Sequence, residues 1–373
     1  MEQKKTVTDP YRKFHKGSWT KTIDVRDFIA QNYTPYSGDE HFLAKPTRNT
    51  QKVWKRVKKI LKKEFKKGGV LGIDTKIAST ITSHKPGYID RKRESIVGIQ
   101  TEKPLIRAIK PRGGIRLVEK TCEKFGCHID PKIHDIFTNY VTTHNDGVFE
   151  MYANWDEFKT PDGKSFRSEE IITGLPDNYS RGRIIGDYRR VPLYGVDRLI
   201  AQWKKDEQSL YGEYMNEENM RGRMYVHKHI QALSDMKKMA DFYGFDISLP
   251  ATDTKEAIQW LYFAYLSAVK EQDGAAMSMG RIDAFLDMYA ERDLAEKKYT
   301  EEEIQQFIDD FVIKLRIVRH LRHPEYNALF AGDPTWVTCS IGGMAEEGNG
   351  RVRNDGTIAP LRKKLKLKPP RTL

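Results

Sequence analysis

Cysteine is scarce in this 373-residue chain: only Cys122, Cys127 and Cys339 are present, and no two of them are adjacent. The Cys122-x4-Cys127 spacing matches neither a Cys-x-x-Cys redox pair nor a common zinc site. So few thiols, none evidently paired, suit a reducing compartment. No run of about 18 apolar residues occurs, which excludes a membrane-spanning helix. The opening Met1-Glu2-Gln3-Lys4-Lys5 lacks the apolar core of a signal peptide, so the expected location is the cytoplasm. There is no internal repeat of 20 to 50 residues to suggest a solenoid.

Two short stretches hold only one acidic residue each, and these set the overall charge. The net charge is +12 and the isoelectric point about 9.3, which by itself invites a nucleic-acid reading. Residues 52–67 hold nine Lys or Arg against Glu64, a net of +8. From Arg351 onward eight Lys or Arg face only Asp355, a net of +7, which leaves −3 for the remainder. The body is mildly acidic. In the first stretch Val53, Trp54, Val57, Ile60, Leu61 and Phe65 recur at helical spacing, with lysines filling the opposite face. This pattern reads as a solvated surface helix, since no zinc-finger or helix-turn-helix signal accompanies it.

The length allows one large or two ordinary domains. Thr300 with Glu303 forms a capping box ahead of a periodic segment, Ile304 through Leu321, that Pro324 should end. Asp253 with Glu256 opens another helix through Ile258, Leu261, Tyr262 and Tyr265, to be closed by Gly274. Much of 196–243 also reads as helix, whereas 183–185 and 335–338 read as strands or loops.

Chemistry is suggested by 174–195, where Arg181, Arg183, Arg189 and Arg190 stand among glycines beside Asp187. A flexible backbone presenting forked cations suits a small carboxylate or phosphate; the plain alternative is a turn in which the arginines pair with Asp187. Other blocks accompany this one. They include Val25 to Asp39, Ser79 to Ile89 (Ser-Thr-Ile-Thr-Ser-His-Lys-Pro-Gly-Tyr-Ile) and Ile96 to Glu102 (Ile-Val-Gly-Ile-Gln-Thr-Glu). Thr143 to Phe149, Gly274 to Ser278 and Gly332 to Thr338 follow in order. From about Trp19 to Gly343 this text resembles the pyruvate formate-lyase branch of the glycyl radical enzymes, more than the diol-dehydratase or arylsuccinate branches.

The resemblance implies an α/β fold: the first half of a ten-stranded α/β barrel, with its surrounding helices, over 1–343. Residues 344–373 are expected to form an unrelated basic tail, disordered because their composition cannot offset ordering entropy, or translated out of frame because the family pattern stops abruptly before them. The family converts pyruvate and coenzyme A to acetyl-CoA and formate in anaerobic glucose fermentation, using a protein glycyl radical and an adjacent cysteine pair. Both lie downstream of the matching text and neither occurs in this chain, so no catalytic residue and no metal is assigned. By position in the motifs, Arg183 corresponds to the arginine that holds the pyruvate carboxylate. Ala275, Phe330 and Trp336 correspond to walls of the substrate pocket, while Phe149 and Tyr179 are candidates for stacking on the adenine of coenzyme A. The implied partners are pyruvate, coenzyme A, a radical-SAM activating enzyme and a second subunit, with no nucleic acid and no membrane.

Two departures are visible. Ser180 replaces the usual glycine before Arg-Gly-Arg, and Cys339 replaces a commonly acidic residue; with no neighbouring cysteine it reads as a buried or incidental thiol. Three functions follow: a truncated, inactive pyruvate formate-lyase, one half of a split enzyme, or a basic protein that binds nucleic acid or membrane.

Overall fold

The structure, a computed structural model, describes residues 9–34, 45–109, 121–131, 186–209, 216–271, 277–321 and 337–340. Among them are seven α-helices: α1 (Val25–Asn32), α2 (Arg48–Lys66), α3 (Arg190–Gln208), α4 (Glu217–Phe242), α5 (Thr254–Glu271), α6 (Asp283–Ala295) and α7 (Glu301–Ile317). Four short strands accompany them: β1 (Gly72–Ala78), β2 (Ile106–Ile109), β3 (Gly280–Arg281) and β4 (Cys339–Ser340). The strands form two parallel pairs, β1 with β2 and β3 with β4. The architecture is therefore α/β. Barrel order is not visible among the described residues, and the tail at 344–373 lies outside them.

Helix α5 forms the centre of the core. From Ala257 to Leu266 every residue is buried, and α3, α4, α6 and α7 all pack against it. A helix buried on all sides must be enclosed by others, which is why its sequence is apolar around its whole circumference, with the buried Gln259 as the exception in this span. At one end Phe28 meets Phe14, Trp19, Phe285 and Tyr289, with ring centroids 4.9 to 6.3 Å apart. This joins the N-terminal segment to α6 through the tilted and edge-on geometries that aromatic quadrupoles favour.

The predicted caps hold. Thr300 and Glu303 make the reciprocal box at the start of α7. At α5, Asp253 accepts from the Glu256 amide, while the Glu256 carboxylate reaches back to Thr252 instead of closing the box on Asp253. Gly274 lies outside the described residues. Helix α7 ends at Ile317, well before Pro324. The cause is Gln100, whose side-chain amide accepts from the Arg319 backbone N–H and donates to its carbonyl, each at 2.8 Å, holding that segment extended. Val318 and Leu321 keep the apolar periodicity and are buried, but not on a helix.

The α2 stripe is corrected at two positions. Val53 and Val57 are buried as expected, but Phe65 is 68 % exposed and Glu64 is 0 % exposed. Glu64 turns inward because two buried guanidiniums hold it: Arg107 from β2 and Arg319 beyond α7, the latter at 2.9 Å. Charge pairing in the interior outweighs the apolar preference of the stripe, since either arginine left alone there would be costly.

Candidate functional site

All six candidate site residues, Phe149, Tyr179, Arg183, Ala275, Phe330 and Trp336, lie outside the described residues. The described residues that follow three of them do meet. After Arg183 come Gly186 to Arg190; after Ala275 come Met277 to Arg281; after Trp336 come Val337 to Ser340. Met279 donates its N–H to the Thr338 carbonyl at 2.8 Å, and Gly280 and Arg281 pair with Cys339 and Ser340. Arg189 reaches the Arg281 carbonyl at 3.4 Å. Tyr188 packs edge-on against Tyr265, whose hydroxyl donates to the Met277 carbonyl at 3.2 Å. Three segments distant in sequence thus converge at the C-terminal part of α5.

Within this convergence Asp187 accepts from Arg189 at 2.7 Å and sits 3.6 Å from Arg190. For these two arginines the turn reading is correct: both pair with Asp187. Arg281 pairs with Asp283 at 3.3 Å. Burial, reinforced by Asp283, pushes the Cys339 thiol up to about 12. It stays protonated at neutral pH and is no nucleophile, in keeping with an incidental thiol.

Beside α5 lies a second polar group. His84 stands between Ser83, with Oγ to Nδ1 at 2.8 Å, and Asp74, whose carboxylate is 3.3 Å from Nε2. Ser83 Oγ also bonds the Thr80 backbone N–H and carbonyl, which marks it as a turn hydroxyl rather than an activated nucleophile. Lys270 in the last turn of α5 is buried, and desolvation lowers its ammonium to about 8. Burial, then repulsion from Lys270, lowers the His84 imidazole. The segment is tied to α5 by Ser79 Oγ on the Lys270 carbonyl at 2.9 Å and by the Ile81 N–H on Glu271 at 3.1 Å.

The Ile96 to Glu102 block is a strap whose backbone is satisfied by side chains. Gln259 bonds both the N–H and the carbonyl of Val97, Tyr262 donates to the Gly98 carbonyl, and Asp310 accepts from the Ser95 and Ile96 amides. Burial raises the Asp310 carboxyl to about 7. Lys270 and Asp310 escaped sequence reasoning. The one available signal was a charge on an otherwise apolar helix face, which periodicity treats as noise. Among the described residues no group of three or more His, Cys, Asp or Glu could hold a metal ion, and no helix is long and apolar enough to cross a membrane.

Comparison with known proteins defines the class. A family model described as pyruvate formate lyase-like matches residues 18–357, and the chain belongs to that family. Formate acetyltransferase 1 of Escherichia coli strain K12 is 51 % identical over 339 residues, covering 90 % of this chain and 44 % of that protein. The B12-independent glycerol dehydratase of Clostridium butyricum superposes with a TM-score of 0.58 at 17 % identity, over 88 % of this chain and 47 % of the dehydratase. A glycyl radical enzyme of Archaeoglobus fulgidus gives 0.51 at 14 %, over 88 % and 46 %. The chain therefore spans less than half the length of the relatives it matches, and the two structural likenesses concern the fold.

Proposed function

We propose that this chain is the pyruvate-gripping part of a formate acetyltransferase, folding as the first half of the family's ten-stranded barrel and acting in the cytoplasm. The observation that carries the reading is its 51 % identity to formate acetyltransferase 1 over 90 % of its own length. The meeting of the segments after Arg183, Ala275 and Trp336 supports one shared site for those three residues.

In this reading Arg183 holds the pyruvate carboxylate through a planar two-point grip, which fixes the carbonyl for attack. Ala275, Phe330 and Trp336 wall the pocket against water, and Phe149 and Tyr179 stack on the adenine of coenzyme A. The glycyl radical of the family, generated by an activating enzyme, supplies the one-electron chemistry through a cysteine pair. This chain has no adjacent cysteines, so by itself it is expected to make no formate.

The test is a chimera in which this chain replaces the matching part of E. coli formate acetyltransferase 1. Activated anaerobically and given pyruvate and coenzyme A, the chimera should yield formate and acetyl-CoA. Arg183→Lys should lower kcat/KM for pyruvate roughly ten- to a hundredfold, for loss of a charge-assisted contact of about 1.5 to 3 kcal/mol. The glycyl radical signal should persist in that variant. A folded, radical-bearing chimera without turnover would reject the reading, and unchanged pyruvate kinetics in Arg183→Lys would remove Arg183 from the site.

A further inference from the structure

We propose that the outer face of α2 is a docking surface for an anionic lipid membrane. All nine cations of 52–67 are exposed: Lys52, Lys55, Arg56, Lys58, Lys59, Lys62, Lys63, Lys66 and Lys67. At 3.6 residues per turn they fall within an arc of about 180°. The single acid of the stretch, Glu64, is withdrawn into the interior by Arg107 and Arg319 and offsets none of this charge outside. Asp90, 4.0 Å from Arg56, is the one acidic group of the described residues seen against the arc.

Lys55, Lys58, Lys59 and Lys62 are each followed four residues later by another lysine, an arrangement that destabilises a helix instead of supporting it. A solvated face gains nothing from such pairs; a polyanion relieves them all together. The sequence pattern alone suggested a solvated face, and the burial of Glu64 changes that balance by leaving the arc purely cationic.

Two observations choose the membrane over a nucleic-acid duplex. Phe65 projects at the edge of the arc, 68 % exposed, on the side of the helix that carries Lys58 and Lys62. An aromatic ring there contributes by entering the interfacial layer of a bilayer, whereas a row of phosphates gives it no partner. The arc also carries no Asn or Gln from 52 to 67 to read base edges. The apolar side of the helix is occupied: Val53 and Val57 pack with Ile89, Ile99, Leu105, Ile313 and Ile317. The helix therefore lies on the headgroups by charge, with Phe65 as its one apolar anchor.

The test is co-sedimentation of the full chain with phosphatidylcholine vesicles, with and without phosphatidylserine at about 30 %, at an ionic strength of about 0.1 M. Binding should be at least roughly tenfold stronger to the anionic vesicles and should fall steeply at about 0.5 M salt. Lys55→Gln, Lys59→Gln and Lys62→Gln combined should reduce it roughly a hundredfold, and the same three changed to glutamate considerably more. Phe65→Ala should weaken vesicle binding roughly tenfold while leaving capture of a short DNA duplex unchanged. The basic C-terminal stretch is intact in every variant, so a loss is assigned to α2. Equal binding to both vesicle types overturns the proposal, as does full binding by a triple variant whose circular dichroism and melting match the parent. A duplex held more tightly than anionic vesicles, with Phe65→Ala neutral on both, assigns the surface to nucleic acid instead.

Discussion

Asp310 illustrates how a single side chain couples the fold to pH. One of its oxygens accepts from the Ser95 and Ile96 amides, and the other is buried with no hydrogen-bond partner among the described residues. Burial dominates and raises the carboxyl from 3.8 to about 7, against the lowering effects of those amides and of Lys314. The folded state thus keeps a proton that the unfolded chain releases above about pH 4. Between about pH 4 and 7 the folded form binds more protons, so this group's stabilisation is complete below that window and is lost as pH rises through it. Asp310→Asn retains a carbonyl acceptor for the amides and cannot ionise. Urea unfolding at pH 5 and pH 8 should show the variant gaining on the parent by roughly 2 to 3 kcal/mol across that interval. Parallel pH profiles for the two proteins would contradict the assignment.

At the scale of elements, the break in α3 is a comparable constraint on the backbone. Gly195 has φ +71° inside the α3 span, and a Cβ there would lie 2.5 Å from the Leu249 carbonyl carbon and the Ser248 oxygen. The approach is enforced by hydrogen bonds from Val196 to Ile247 at 2.9 Å and from Ala251 to Pro192 at 2.8 Å. Gly68, after α2, has a similar φ of +77° with nothing within 4 Å of the added atom. Gly68→Ala should therefore cost about 1 kcal/mol, the backbone strain alone, whereas Gly195→Ala should cost more than about 3 kcal/mol by forcing the two segments apart. Equal denaturation midpoints for the two variants would show that the 247–251 segment yields freely. The contrast also marks what was legible in the sequence. The Thr300 and Asp253 caps, the α5 run and the α3–α4 helical region follow from local chemistry, and local patterns report them. The inward turn of Glu64, the early end of α7 at Gln100 and the break at Gly195 are set by residues far away in the chain, and no window of neighbouring residues contains their cause. The six candidate site residues were expected only through motif resemblance, because an arginine, an alanine and four aromatics have no spacing rule of their own, and all six lie outside the described residues.

For the whole molecule, the question is how a chain spanning 44 % of its relative's length satisfies its own surfaces. The helical core around α5 encloses the aromatic cluster, with Gln259 holding Val97 and Gln100 holding Arg319 against it. The strands are different. Among the described residues each strand has a single neighbour, β1 with β2 and β3 with β4, and two-stranded pairs leave outward N–H and C=O groups available to other strands. In the proposed reading the remaining partners of these strands belong to the other half of the family's barrel, and a core that folds without them should associate edge to edge before it unfolds. The isolated chain is therefore expected to show concentration-dependent association by sedimentation velocity while its far-ultraviolet circular dichroism stays constant. Co-expression with the remaining segment of E. coli formate acetyltransferase 1 should replace that association with a discrete complex and raise the melting temperature, because pairing of the edges is linked to folding by mass action. A chain that remains a monomer at all concentrations, and whose melting the added segment does not change, would show that its strand edges are satisfied internally.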